Sequence, residues 1–204
     1  MKKVLLIIII LLPMLAMAQQ PKMHMKLYGG LNATTFVYKI EGVEKDVLEG
    51  WQVGGSFRVM HRRGFLEIGV VYKNYGFTVD SIPLGDGDYE AFDEPVTIRM
   101  KALEFPLTMG YIPVKKPLFK WFLYGGLVSR FSLKGKYEYK GETGTYKPSE
   151  INLNVYNLGA RFGTQFDLAF FNFDFSYTIG ITNAFREKAR TNSHGLDLTV
   201  GILF

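Results

Sequence analysis

The sequence predicts an all-β protein: an eight-stranded antiparallel up-and-down transmembrane β-barrel, preceded by a cleavable signal peptide. Three observations predict it. Long segments alternate with period two between large apolar and small polar side chains, the spacing of a strand. The connections between these segments alternate between long and short. The chain opens with a leader of the secretory type.

The alternation is clearest near the C-terminus. In 171–182, Phe171, Phe173, Phe175, Tyr177, Ile179 and Ile181 point one way, and Asn172, Asp174, Ser176, Thr178, Gly180 and Thr182 the other. In 196–204, Leu196, Leu198, Val200, Ile202 and Phe204 oppose Asp197, Thr199, Gly201 and Leu203. A strand facing bulk water carries long charged residues on its wet face. Small polar residues opposite large apolar ones fit a narrow wet lumen inside and lipid outside.

At the start, Lys2 and Lys3 precede an apolar run over 4–12, then Pro13 and Ala16-Met17-Ala18. This is a basic n-region, an h-region and an A-x-A cleavage site. Residues 1–18 are therefore expected to be a signal peptide and 19–204 the barrel domain. The apolar run is roughly half the ~20 residues that a spanning helix needs. The chain has no Cys, which excludes disulfides, thiol chemistry and a cysteine-linked lipid anchor. The formal net charge of +5 includes the two leader lysines; without them 22 basic residues face 19 acidic ones. So mild a surplus on an exported chain argues against a nucleic-acid partner. Beyond the leader no apolar stretch reaches the length of a membrane helix, but an exported chain can still span a membrane as a closed barrel, whose strands satisfy one another's backbone groups.

Eight strands are expected, at 25–36, 50–60, 64–79, 96–111, 119–133, 153–167, 171–182 and 192–204. Each exceeds the ~9–11 residues of a tilted membrane strand. Period two turns Lys26, Tyr28 and Asn32 of the first inward. The second contributes Gln52, Ser56 and Arg58, the third Glu67 and Lys73, and the fourth Glu104 and Thr108. The fifth is apolar on both faces, leaving Arg130 open. The sixth contributes Asn157, Arg161, Gln165 and Asp167, the seventh Asp174 and the eighth Asp197. The connections 61–63, 112–118 and 168–170 are short, 183–191 is of medium length, and 37–49, 80–95 and 134–152 are long. Bacterial barrels have short periplasmic turns and long extracellular loops. With the N-terminus in the periplasm, every short connection and Phe204 fall on the periplasmic side. Two aromatic belts are expected: Phe65, Tyr111, Phe119, Trp121, Phe166, Phe171 and Phe204 at one interface, and Phe36, Trp51, Tyr75, Phe77, Phe131, Tyr156 and Tyr177 at the other.

The inward charges are nearly balanced: Glu67, Glu104, Asp167, Asp174 and Asp197 against Lys26, Arg58, Lys73 and Arg161. Unpaired charges in a narrow lumen are costly, so they are expected to pair as a lumen charge network. An eight-stranded barrel is just wide enough for side chains to fill, so a plugged barrel is expected.

The stretch Ala102-Leu103-Glu104-Phe105-Pro106-Leu107-Thr108-Met109-Gly110-Tyr111, followed by Trp121-Phe122-Leu123-Tyr124-Gly125-Gly126, resembles the core motif of the PorT-like outer-membrane β-barrel family, also called porin-family or OMP β-barrel domain proteins. The resemblance implies an eight-stranded barrel in the outer membrane of a Gram-negative bacterium of the Bacteroidetes type. The family's best-known namesake takes part in assembling a secretion and gliding system. The motif is structural and carries no functional residues over.

Several features bear on function. Some outer-membrane barrels are lipid hydrolases that use Ser, His and an acid. Here His24 opens the mature region, His61 lies in a short turn, and His194 follows Ser193, whose side chain a strand would point to the opposite face. Asp86, Asp88 and Glu90 alternate in an acidic loop, a spacing that calcium accepts, although the full binding-loop pattern is missing. Residues 134–150 read as a hairpin continuing the fifth and sixth strands, with its turn at 141–144; Tyr137, Tyr139 and Tyr146 would give a partner contact area. The short turns His61-Arg62-Arg63 and Lys115-Lys116 are basic and could meet acidic partners or lipid phosphates. The reading is a non-catalytic outer-membrane barrel without cofactors, with a structural, adhesion or secretion-assembly role through its extracellular loops. Its partners would be outer-membrane lipid and another envelope or secretion-system protein. The alternatives are a small selective channel and, more distantly, a lipid-modifying enzyme.

Overall fold

The computed structural model describes residues 22–37, 47–83, 89–139, 142–146, 154–183 and 192–204. Residues 1–18, expected from the sequence to be a signal peptide, lie outside these residues. The strands are β1 (Lys22–Val37), β2 (Val47–His61), β3 (Gly64–Pro83), β4 (Tyr89–Lys115), β5 (Phe119–Tyr139), β6 (Glu142–Tyr146), β7 (Tyr156–Leu168), β8 (Phe171–Gly180) and β9 (Asn192–Leu203). All pairings are antiparallel. Each strand pairs with its sequence neighbour, except that β5 pairs with both β6 and β7. β1 pairs with β9 from Lys26↔Leu203 to Val37↔Asn192, which closes the ring. Eight strands make the barrel. The ninth, β6, is the return arm of a hairpin that extends β5 beyond it.

The molecule is inverted relative to a water-soluble domain. Leu27, Leu31, Ile68, Met109, Phe162 and Leu198 are exposed on the outer wall, whereas Arg58, Lys73, Glu104, Arg161 and Asp197 are buried inside. The alternation dictates this: with period two, one residue set must face out, and hydrocarbon is the solvent that accepts it. No helix among the described residues is long and apolar enough to cross a membrane; strands do the crossing.

Close approach of strands fixes one position sharply. A Cβ at Gly30 would lie 2.0 Å from the Leu198 carbonyl oxygen across the closing seam. Pro106 interrupts the β3–β4 ladder, which passes from Ile68↔Leu107 to Val71↔Glu104 without pairing the residues between, because proline has no N–H to give. The β5 side is intact, with Pro106 opposite Val128.

The structure corrects the sequence reading in three places. Residues 80–95 are largely strand, since β3 runs to Pro83 and β4 starts at Tyr89 with Pro83↔Tyr89 paired. Asp86 and Asp88 lie outside the described residues, and Glu90 sits on β4 opposite Ile82. The hairpin turn is tighter than 141–144, because Tyr139 pairs with Glu142 and Gly144 stands in β6 opposite Tyr137. Phe65 and Tyr75 do not join the aromatic belts; each is buried in the lumen, on the inward parity of β3 shared by Glu67, Val71 and Lys73. The outer belts retain Tyr111, Trp121, Phe166 and Phe171 at the short-turn end, and Trp51, Phe131, Tyr156 and Tyr177 toward the other.

Candidate functional site: the filled lumen and the hairpin end

The lumen holds five cations and five carboxylates in two layers. In the layer nearer the short turns, Glu67 receives Lys26 at 2.9 Å and Arg58 Nε at 2.6 Å, and also accepts the Ser56 hydroxyl at 2.7 Å. Arg58 donates onward to Asp167 at 2.9 Å and to the Gln165 side-chain oxygen. Asn172 donates to the other Asp167 oxygen at 2.7 Å. Asp174 accepts the Tyr124 hydroxyl at 2.8 Å and lies 3.7 Å from Lys26. In the layer nearer the long hairpins, Glu104 accepts Arg130 Nε at 2.7 Å and Arg161 Nη2 at 3.0 Å, with Lys73 at 3.8 Å. Asp197 accepts Lys73 at 2.5 Å and Arg161 at 2.8 Å.

This brings together all nine inward charges singled out in the sequence and adds Arg130, whose inward placement the all-apolar fifth strand had left open. The charges come from all eight barrel strands, so their pairs cross the lumen and tie the wall to itself. The lower layer carries two cations against three carboxylates and the upper three against two. Neither layer is neutral alone, and the lumen as a whole is. Between the layers lies a cavity of about 30 Å³, lined by Lys26, Glu67, Arg161 and Asp197 among others. A water needs ~10–15 Å³ by this measure, so the space suits one or two waters.

Sequence reasoning missed the apolar floor. Met60, Phe65, Ile112, Phe122 and Tyr124 form a buried cluster at the short-turn end of the lumen. Phe65 meets Phe122 edge-on at 5.2 Å, and the Arg58 guanidinium lies 4.3 Å from the Phe122 ring centre. The signal was the apolarity of both faces of 119–133: a membrane strand that is apolar inward is covering a dry lumen. Near the other end Tyr75 lies against Arg130, at 5.2 Å.

The remaining candidate residues are dispersed. Ser193 is buried, whereas His194 takes the outer parity of β9 and its Nδ1 lies 2.5 Å from the Tyr177 hydroxyl, so Ser193 and His194 form no couple. Among the described residues no group of three or more His, Asp and Glu side chains could hold a metal ion. On the hairpin, Tyr137 is exposed, and a Cβ at Gly144 would strike its ring; the glycine makes room for the tyrosine to lie across the ladder. The placements of Tyr139 and Tyr146 are given by their pairing, with Glu142 and Gly135.

A closed antiparallel barrel with an apolar wall and a polar, packed lumen defines an integral membrane protein of the β-barrel class. The chain belongs to the outer membrane protein beta-barrel domain family, whose model matches residues 17–186. No curated protein matches it in sequence. Among solved structures it is similar to the attachment invasion locus protein Ail of Yersinia pestis, at 12% identity over 89% of this chain and 98% of that one, with a TM-score of 0.47. Neisserial surface protein A is similar at 12% identity over 90% and 99%, with a TM-score of 0.48. OprG of Pseudomonas aeruginosa is similar at 14% identity over 91% and 97%, with a TM-score of 0.46.

Proposed function

We propose that this protein is a sealed, non-conducting outer-membrane barrel that acts at the cell surface through its long hairpins, as a structural, adhesion or secretion-assembly component. The observation that carries this reading is the filling of the lumen: two internally paired charge layers stand above an apolar floor, and the cavity between them suits a water or two. A channel needs a continuous wet path and charges free to exchange partners with ions. Here every inward charge singled out above is engaged by another. The strands that rise past the bilayer are β3, β4 and β5 with its partner β6; β4 alone has 27 residues, against the ~9–11 that crossing requires. A projecting hairpin offers backbone edge and tyrosine surface to a partner strand. Export by residues 1–18, and an orientation with the short turns in the periplasm, belong to the same reading.

Two experiments test it. Purified barrel in planar bilayers should show no conductance steps above leak; steady single-channel steps would favour the selective-channel alternative. Crosslinking in intact membranes, with an affinity tag in the 183–191 connection, should capture a stoichiometric envelope partner. That capture should be lost when 134–150 is replaced by a short turn. Capture that survives the replacement would remove the hairpin from the proposal.

A further inference from the structure

The short-turn end carries a basic rim that the surface role does not use. Lys22 at the start of β1, Arg62 and Arg63 between β2 and β3, and Lys115 and Lys116 between β4 and β5 are all exposed. The ion pairs found among the described residues all lie in the lumen, and none involves these five. The carboxylates nearest this end, Glu67 and Asp167, are buried and held by Arg58. The rim cations are instead spaced by neutral groups: Arg63 donates to the Tyr111 hydroxyl at 3.1 Å, and Lys115 donates to the Arg62 carbonyl.

Apolar tips stand at the same level. Leu118 is 70% exposed and Phe170 is 55% exposed. Their turns are tied together, since the Ala169 N–H donates to the Leu118 carbonyl at 2.8 Å. Just above, Trp121 and Phe166 stack at 6.3 Å, and the Trp121 indole donates to the Thr164 hydroxyl at 2.8 Å, an aromatic girdle at membrane-interface depth. Cations beside exposed apolar tips, at the level of an aromatic girdle and with no exposed Asp or Glu side chain beside them among the described residues, match a lipid headgroup layer. A soluble acidic partner would meet the charges but leave the leucine and phenylalanine tips in water.

We infer that this rim binds the headgroup phosphates of anionic phospholipids in the leaflet at the short-turn end, fixing the depth and orientation of the barrel there. The basic residues supply charge at the phosphate level, Leu118 and Phe170 enter the adjoining acyl region, and binding weakens with salt.

The two tryptophans of the chain provide the test. In a Trp51→Phe barrel, Trp121 alone reports on this rim. Quenching by brominated phosphatidylglycerol is compared with quenching by brominated phosphatidylcholine in mixed vesicles. The rim should select phosphatidylglycerol by ~10-fold at low salt, on the scale of a few surface cations. That preference should fall toward unity in 1 M salt, and in a variant carrying Arg62→Gln, Arg63→Gln, Lys115→Gln and Lys116→Gln. Equal quenching by the two lipids at low salt would overturn the inference, as would a preference that survives both salt and charge removal. The salt titration uses the unsubstituted rim, so it decides even if the fourfold variant fails to fold.

Discussion

Glu104→Gln is the most informative single change to the lumen. The glutamate is fully buried and faces three cations, with Arg130 at 2.7 Å, Arg161 at 3.0 Å and Lys73 at 3.8 Å. The glutamine keeps the shape and removes the charge. The upper layer then holds three cations with Asp197 as its one carboxylate, in a space closed to bulk water. Removing one partner of a buried ion pair typically costs ~3–5 kcal/mol, because the charges left behind are desolvated and uncompensated. Three contacts through one carboxylate place this site toward the upper half of that range, at ~4 kcal/mol. With a guanidinium slope of about 4 kcal/mol/M, the unfolding midpoint in lipid vesicles falls by roughly 1 M. Lys101→Gln, an exposed position on the same strand, is the control and should stay within about 0.1 M of the unmodified barrel. Adding Lys73→Met to Glu104→Gln removes one stranded cation and should recover ~1–2 kcal/mol, a coupling visible in a double-mutant cycle. A Glu104→Gln midpoint equal to that of the parent would refute the reasoning, since the network would then contribute nothing net of its desolvation.

Phe122→Ala removes the centre of the apolar floor, which packs on Phe65 and under the Arg58 guanidinium. It should cost ~3–5 kcal/mol in the same assay and raise ion leak across planar bilayers; unchanged leak would place the seal elsewhere. Gly30→Ala puts a methyl group 2.0 Å from the Leu198 carbonyl oxygen at the seam between the first and last strands, so it should slow or prevent closure, read as loss of the compact heat-modifiable band on gels. Ala169 holds φ of 54°, a left-handed conformation that costs a non-glycine residue ~1–2 kcal/mol. Ala169→Gly should therefore stabilise the barrel by about 0.5–1 kcal/mol after the added chain entropy of glycine; a lower midpoint would contradict it.

The barrel is legible in the residue pattern alone, because period two is a local property. Once Phe171, Phe173 and Phe175 lie opposite Asn172, Asp174 and Ser176, the strand has one apolar and one polar face, and a chain of such strands with alternating short turns closes on itself. The same parity placed Lys26, Arg58, Glu67, Lys73, Glu104, Arg161, Asp167, Asp174 and Asp197 in the lumen. What parity cannot give is height and azimuth across the ring. Which carboxylate meets which cation follows from register, and register depends on bulges such as that between Met100 and Ala102, and on a closing seam far apart in sequence. Phe65 and Tyr75 share the parity of Glu67 and Lys73, so period two alone turns them inward; only their places near strand ends point to the belts, and the structure follows the parity. The apolar floor was hidden for a related reason. Phe122 lies in a run apolar on both faces, where a local pattern has no contrast to read, and only the convergence of Met60, Phe65 and Ile112 from three other strands, beside Tyr124 of its own, makes it a plug. Alternation fixed which way each side chain points; three-dimensional closure decided what it meets.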